Sequence, residues 1–181
     1  PERFEQALDV VSAYLARRGT EGERATYAGL VDLRPRVAEW SSRLSSMPGG
    51  LSLDHNDLHA WNVFYAEQAG RVDVRFYDWG DAVVAHPFAS MMIGLGWLTG
   101  MWQVDRDDPR LVRARDAYLE PFAVLGPRAE LVETMELSCG LGEIARSLVW
   151  ARALGEYGEQ APDSFQTAPL EHLSGLLRLV P

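Results

Sequence analysis

The chain has 181 residues, of which 47% are hydrophobic and 24% charged, and 17 cationic against 26 acidic residues give a formal net charge of -9. This length and composition exclude a disordered or fibrous chain and predict one globular domain whose core needs no disulfide bond. The acidic balance argues against a nucleic-acid partner, and no apolar run reaches the roughly 18 residues of a membrane span. The single cysteine fits a reducing compartment, so we expect a cytoplasmic protein with neither nucleic-acid nor membrane partners.

Two amphipathic helices are predicted in the first quarter of the chain. Apolar residues recur at spacings of three and four over residues 4–15, and this pattern ends near Gly19. The same spacing returns over residues 33–47, where Pro35 is tolerated in a first helical turn and Pro48-Gly49-Gly50 end the run. The residues between the two patterns are predicted to form a short polar connection.

A β-hairpin is predicted in the middle of the chain. Residues 63–65 are a short β-prone run, and Val72, Val74 and Phe76 alternate with polar or charged neighbours, with a turn over residues 67–70. Beyond Pro87 the helical period returns, which predicts helices over residues 88–98, 109–125, 137–148 and 169–179. The fold class is therefore predicted to be α+β, mainly α, with one small hairpin.

The clearest of the later helices carries three small residues. Gly140 and Gly142 each cost about 1 kcal/mol relative to alanine inside a helix, so they predict close packing against a neighbouring element. Cys139 precedes them and is predicted to be a small buried residue rather than a nucleophile. Of the histidines outside the middle segment, His86 is expected in a turn or core, and His172 on a solvated helix face.

The residues that carry chemistry surround the predicted hairpin. His55, Asp57 and Asn62 form the pattern His-x-Asp-x-x-x-x-Asn, and Asp78-Trp79-Gly80 follows the alternating strand. This arrangement resembles the catalytic loop and metal-binding segment of the protein-kinase-like fold, in the form used by aminoglycoside phosphotransferases and choline-kinase-like enzymes. His59 and the run from Asp78 to Ala82 belong to the resemblance, which extends weakly to most of the chain.

The resemblance implies a small-molecule kinase that transfers the γ-phosphate of ATP or GTP to a hydroxyl. Asp57 would be the catalytic residue that orients the attacking hydroxyl or accepts its proton, because phosphoryl transfer depends on positioning and on neutralising charge. Asn62 and Asp78 would be the ligands of Mg²⁺, and His59 would lie near the phosphates or order the loop. His55 is expected to support the loop through backbone hydrogen bonds, and Asp81 either orders the metal loop or is solvated.

The resemblance covers only the large C-terminal lobe of such a kinase. Residues 1–48 would be a helical entry segment, 49–85 the catalytic loop and metal-binding hairpin, and 86–181 a helical bundle on the substrate side. The sequence contains no lysine and no glycine-rich loop between strands, so the N-terminal nucleotide-binding lobe is predicted to be absent. Because the chain begins at Pro1, we expect it to be part of a longer polypeptide, and we expect the isolated lobe to be inactive.

The acceptor and the subfamily are less defined by the sequence. Many relatives carry a Gly-Asp-Pro stretch and an aspartate that anchors the next helix, whereas this chain has residues 85–90 without an acidic anchor. An acid-rich region could bind a cationic acceptor, aminoglycoside-like or choline-like, with help from Trp97 and Trp102, or it could be an ordinary solvated face with both tryptophans in the core. That region contains Asp105, Asp107, Asp108, Asp116 and Glu120.

Two other functions remain open at this stage. His55, Asp57 and His59 alternate and could face one side of a strand as ligands of zinc or iron in a hydrolase, although this leaves Asn62 and Asp78 unexplained. A kinase-like lobe could also have become a non-catalytic binding module. The retention of all three oxygen-bearing residues of the pattern favours phosphotransfer over this alternative.

Overall fold

The computed structural model describes residues 1–158 and 161–180. The chain is mainly helical and has small antiparallel sheets, as the sequence predicts. The helices are α1 (Glu2–Arg18), α2 (Glu21–Asp32), α3 (Arg34–Ser46), α4 (Met91–Trp102), α5 (Pro109–Leu119), α6 (Arg128–Tyr157) and α7 (Ala168–Ser174). The strands are β1 (Ser52–Asp54), β2 (Val63–Gln68), β3 (Arg71–Phe76) and β4 (Val83–Ala85).

The chain divides into two compact units. The terminal unit comprises residues 1–47 and 140–181, and the central unit comprises residues 48–139. All residues of the predicted catalytic pattern belong to the central unit. The proposed division of one lobe near residues 48 and 85 stays a prediction.

The first helices of the terminal unit follow the predicted apolar stripes. In α1 the buried residues include Phe4, Leu8, Val11 and Leu15, which are the four that define the pattern in the sequence. Helix α3 buries Val37 and Trp40 and has its proline in the first turn. Both helices are therefore confirmed, because each buries one continuous face.

The polar connection predicted between these helices is wrong, because residues 21–32 form α2. Thr20 accepts a hydrogen bond from the Glu23 backbone N–H, and the Glu23 carboxylate accepts one from the Thr20 backbone N–H. This capping box starts the helix, although Leu30 is its one buried residue among those described. Apolar periodicity misses such a helix, whereas the Thr-x-x-Glu spacing was visible in the sequence.

The second half of α6 is held in the terminal unit by close packing and by an ion cluster. A Cβ at Gly140 would lie 2.5 Å from Leu179 Cδ1, which confirms the close approach predicted there. The buried Glu143 carboxylate accepts hydrogen bonds from His172 Nδ1 at 2.9 Å and from Arg178 at 2.8 Å. The prediction of a solvated His172 is therefore wrong, because this histidine partners a buried carboxylate.

The central unit has a small core formed by Phe88, Leu119, Leu131 and Met135. Cys139 packs at its edge and is half-buried, with its thiol 3.4 Å from the Phe88 carbonyl oxygen. The Tyr118 hydroxyl donates to Pro87 O at 2.6 Å, and burial raises the pKa of this phenol to about 12. None of the helices within the described ranges combines the length and apolar character needed to cross a bilayer.

Two antiparallel strand pairs frame the predicted catalytic loop. Strand β2 pairs with β3 from Val63↔Phe76 to Gln68↔Arg71, which confirms the hairpin, and β1 pairs with β4. Val72, Val74 and Phe76 share one face of the hairpin, yet each is exposed by 44% or more. The alternation of apolar and polar residues therefore predicts the strand correctly, although neither face of β3 is buried in the described structure.

The hairpin turn consists of Ala69 and Gly70, and both have positive φ, at 52° and 72°. A two-residue loop with this geometry matches the twist of paired strands, and it favours Asn-Gly over Ala-Gly. A non-glycine residue with a Cβ in this region costs about 1–2 kcal/mol, and asparagine is among the residues that tolerate it best. Ala69 is therefore a strained position.

We expect Ala69→Asn to raise the free energy of unfolding by up to about 1 kcal/mol, because it relieves this strain without changing the strand register. Urea denaturation of both proteins measures the difference. Gly70→Ala is the matched control and should have the opposite sign. A lower stability of Ala69→Asn would show that the turn has another conformation.

His86 joins two loops of the central unit and is buried, which confirms its predicted turn or core position. Its Nδ1 accepts a hydrogen bond from the Phe88 N–H at 3.2 Å, so the proton is on Nε2, which donates to Pro48 O at 3.1 Å. A protonated ring could not accept the Phe88 bond. Burial also lowers the pKa of His86 below its ordinary value of 6.5.

We expect the free energy of unfolding to fall as the pH falls from about 7 to about 5, because the unfolded His86 binds a proton that the folded ring resists. In this window the unfolded chain holds more protons, so stability increases with pH. Denaturation at several pH values should give a shallower slope for His86→Gln than for the wild type. Equal slopes would show that another group controls this pH dependence.

Candidate functional site

The predicted catalytic loop begins with a buried carboxylate that the sequence analysis did not single out. Asp54 is 2% exposed, and its Oδ1 accepts hydrogen bonds from the Asn56 backbone N–H at 3.0 Å and from Ser90 Oγ at 2.7 Å. Asn56 has φ 58°, a conformation that asparagine tolerates. The Asp-x-Asn spacing of such a turn was visible in the sequence, whereas the contact with Ser90 was not.

Asp57, His59 and Asn62 lie together after this turn. Asn62 Nδ2 is 3.0 Å from Asp57 O and 3.3 Å from Asp57 Oδ2, and His59 Nε2 is 3.5 Å from the same carboxylate oxygen. The Asp57 side chain keeps 21% of its surface accessible, whereas Asn62 is buried. The Asp57 carboxylate is thus partly accessible to solvent, and the Asn62 amide that contacts it is buried.

The end of β3 is bound to both sides of this loop through Tyr77. His55 Nε2 donates to the Tyr77 carbonyl oxygen at 2.8 Å, and the Tyr77 N–H donates to Asn62 O at 3.2 Å. The Tyr77 hydroxyl also donates to the Trp61 carbonyl oxygen. These bonds confirm the prediction that His55 supports the loop through backbone groups.

Asp78 follows Tyr77 directly and is exposed. Its backbone is left-handed, with φ and ψ both 62°, and it precedes a short 3-10 turn over Trp79–Asp81. The Trp79 ring packs against His55 with ring centroids 4.7 Å apart, and Asn56 Nδ2 is 3.4 Å from Asp81 O. The turn after Asp78 is therefore anchored to the loop that contains Asp57.

The predicted site residues divide into two groups. Asp57, His59 and Asn62 contact one another, whereas Asp78 is brought to the same region through the backbone of its neighbour Tyr77. Asn62 and Asp78 offer an amide and a carboxylate oxygen, the hard donors that Mg²⁺ takes while keeping water and phosphate ligands. Within residues 1–158 and 161–180, no three His, Cys, Asp or Glu side chains are grouped as a metal site.

The histidines of the loop do not share the arrangement required by the hydrolase alternative. Strand β1 ends at Asp54, so His55, Asp57 and His59 do not alternate on a strand. His55 Nε2 is directed to Tyr77 O, whereas His59 Nε2 is directed to Asp57. The buried Nδ1 atoms of both rings have no hydrogen-bond partner in the described structure.

Part of the predicted acid-rich region is paired with arginine. Arg110 donates to Asp108 from its side chain and backbone and lowers the pKa of that carboxyl to about 2. Asp116 accepts from Arg128 and Arg115, and these hydrogen bonds lower its pKa as well. These two carboxylates therefore have protein cations as partners.

Comparison with protein-family models gives no match, and searches of curated proteins and of solved structures likewise find no match.

We expect Asp54→Ala to lower the free energy of unfolding by about 1–3 kcal/mol, because it leaves the Asn56 N–H and the Ser90 hydroxyl without their buried acceptor. Ser90→Ala, the control, removes one of the two donors and should cost about 1 kcal/mol. Urea denaturation measures both. A smaller loss in Asp54→Ala than in Ser90→Ala would contradict the role given to Asp54.

Proposed function

We propose that this chain is the helical, C-terminal lobe of a small-molecule kinase with a protein-kinase-like fold. The intact enzyme transfers the γ-phosphate of ATP or GTP to a hydroxyl of a small molecule. The observation that supports this proposal most directly is the contact of Asp57 with Asn62, in a loop hydrogen-bonded to the residue that precedes Asp78. Phosphoryl transfer needs a hydroxyl-orienting carboxylate beside oxygen ligands for a divalent cation.

Asp57 is the residue that we assign to the acceptor. Asn62 Nδ2 lies 3.3 Å from Asp57 Oδ2 and fixes the carboxylate within the loop, while the accessible part of the side chain can reach a hydroxyl. There it orients the hydroxyl and accepts its proton as the oxygen bonds to the γ-phosphorus and the bond from that phosphorus to the nucleoside diphosphate breaks. Such a positioned base contributes about 10²–10⁴-fold to the rate.

Asn62 and Asp78 are the residues that we assign to magnesium. These two residues would hold the ion, which would supply neutralisation of the phosphate charge. Asn62 is held in place because its side-chain Nδ2 donates to Asp57 and its backbone carbonyl oxygen accepts a hydrogen bond from the Tyr77 N–H. Asp78 is fixed by the left-handed turn that places it between the anchored residues Tyr77 and Trp79.

The proposal assigns the remaining nucleotide contacts to a separate lobe of the same polypeptide. The 181 residues contain no lysine, so they offer no counterpart of the strand lysine that holds the α- and β-phosphates in such kinases. On this proposal the isolated chain binds Mg²⁺·ATP weakly and turns over little. Activity is therefore to be measured in the full-length polypeptide.

In the full-length polypeptide we expect Asp57→Ala to reduce Mg²⁺·ATP-dependent phosphorylation of its alcohol acceptor by about 10²–10⁴-fold, because the hydroxyl loses its base. Nucleotide affinity should be nearly unchanged in this variant. Asn62→Ala and Asp78→Ala should instead weaken Mg²⁺·ATP binding. Transfer of radiolabelled phosphate across a panel of alcohols measures the rate, and titration calorimetry measures the affinity.

Asp73→Ala is the matched control, because Asp73 lies on the same hairpin but pairs with Arg75 away from the loop. Its transfer rate should equal that of the wild type. A transfer rate in Asp57→Ala equal to that of the wild type would contradict the assignment of Asp57 as the catalytic base. Binding of small molecules without any transfer would favour the non-catalytic binding module.

A further inference from the structure

An aromatic pair lies beside Asp57 and continues the site toward α4. His59 contacts Asp57, and its ring is 6.0 Å from the Trp61 ring in an edge-to-face arrangement. Trp61 in turn meets Trp97 of α4 edge to face at 6.4 Å. Trp61 is 75% exposed, although its backbone is held by the Tyr77 hydroxyl and by the short helical turn Ala60–Asn62. A large exposed ring is thus mounted on a fixed backbone, next to the residue assigned to the acceptor.

Helix α4 brings a long apolar surface to the same place. Its residues 91–102 include no charged side chain, and all of them are half-buried or exposed. The helix packs closely on the loop, since a Cβ at Gly94 would lie 3.3 Å from Leu58 O. Trp97 follows Gly94 by one helical turn, which puts its ring on the same side as the loop.

Two of the five carboxylates predicted to attract a cation have arginine partners. Asp108 and Asp116 are paired with arginines, and the Arg110 guanidinium covers the Trp102 ring at 4.9 Å. Asp105, Asp107 and Glu120 are exposed, where salt screens their attraction. Within the site, Asp57 and Asp78 are assigned to the hydroxyl and to magnesium. The aromatic pair beside Asp57 can contact the body of the acceptor.

We propose that Trp61 and Trp97 form one wall of the acceptor site and bind an alcohol through its apolar body. The wall removes apolar surface of the acceptor from water, while the hydroxyl projects toward Asp57. This inference rests on the proposed function, because it takes Asp57 as the group that faces the acceptor hydroxyl.

Choline and 3,3-dimethyl-1-butanol provide a matched pair of probes. Both carry a hydroxyl on a two-carbon stem and end in a group of the same shape, but one group is a quaternary ammonium and the other is uncharged. Each probe is titrated at millimolar concentration into the protein without nucleotide or magnesium, and the indole N–H resonances of Trp61 and Trp97 are followed by NMR. Both probes should shift the Trp61 resonance, and the affinity of the uncharged probe measures the apolar contact without any contribution from charge.

Trp61→Ala should weaken binding of the uncharged probe about ten-fold, which corresponds to about 1.4 kcal/mol. Trp61 is largely exposed, so its removal should leave the fold intact, and circular dichroism checks this. Trp102→Ala is the control, since Arg110 already covers that ring. This variant should bind the uncharged probe with the same affinity as the wild type. Either an unchanged affinity in Trp61→Ala or no shift with the uncharged probe would overturn the proposal.

The two proposals fail separately in these experiments. The titration contains no phosphate donor, so it measures acceptor binding alone. Binding at Trp61 without Asp57-dependent transfer would contradict the proposed kinase activity but would still support the tryptophan wall. If the Trp61→Ala substitution left the rate of transfer to an alcohol unchanged, the result would support the kinase activity and contradict the tryptophan wall.

Discussion

The candidate site depends on the hydrogen bonds made by one residue, Tyr77. Its carbonyl accepts from His55, its N–H donates to Asn62 O, and its hydroxyl donates to Trp61 O. These three bonds tie the end of β3 to the beginning and the end of the predicted catalytic loop. His55 and Asn62 are buried, and buried polar groups need partners, so the loop and the strand end specify each other's positions.

This arrangement explains why short elements can hold a defined site. Strands β1 and β4 have three residues each, and an isolated hairpin is marginal in water. The loop gains additional fixation at its base, where Asp54 connects it to Ser90 at the start of α4. Residues 85–90 contain no acidic side chain, and the carboxylate of this contact comes from the loop.

The sequence predicts the larger elements because each buries a face or alternates over several residues. Helices α1 and α3 and the β2–β3 hairpin follow from such periods, and the pattern Asp57, Asn62 and Asp78 follows from spacing. Helix α2 and the β1–β4 pair escape this reasoning, since one buries a single described residue and the other has three-residue strands without a usable period. The His172–Glu143 pair is also beyond it, because the partners are distant in sequence and meet only through tertiary packing.

The left-handed backbone of Asp78 limits which residues this position can accept during evolution. Aspartate and asparagine enter that conformation at low cost because their short side chains bond to nearby backbone groups. Glutamate has the same charge but is one methylene longer, and it enters this conformation less readily. If position 78 requires an acid, aspartate is therefore the favoured residue. Substitution by asparagine would keep the backbone conformation but would remove the charge.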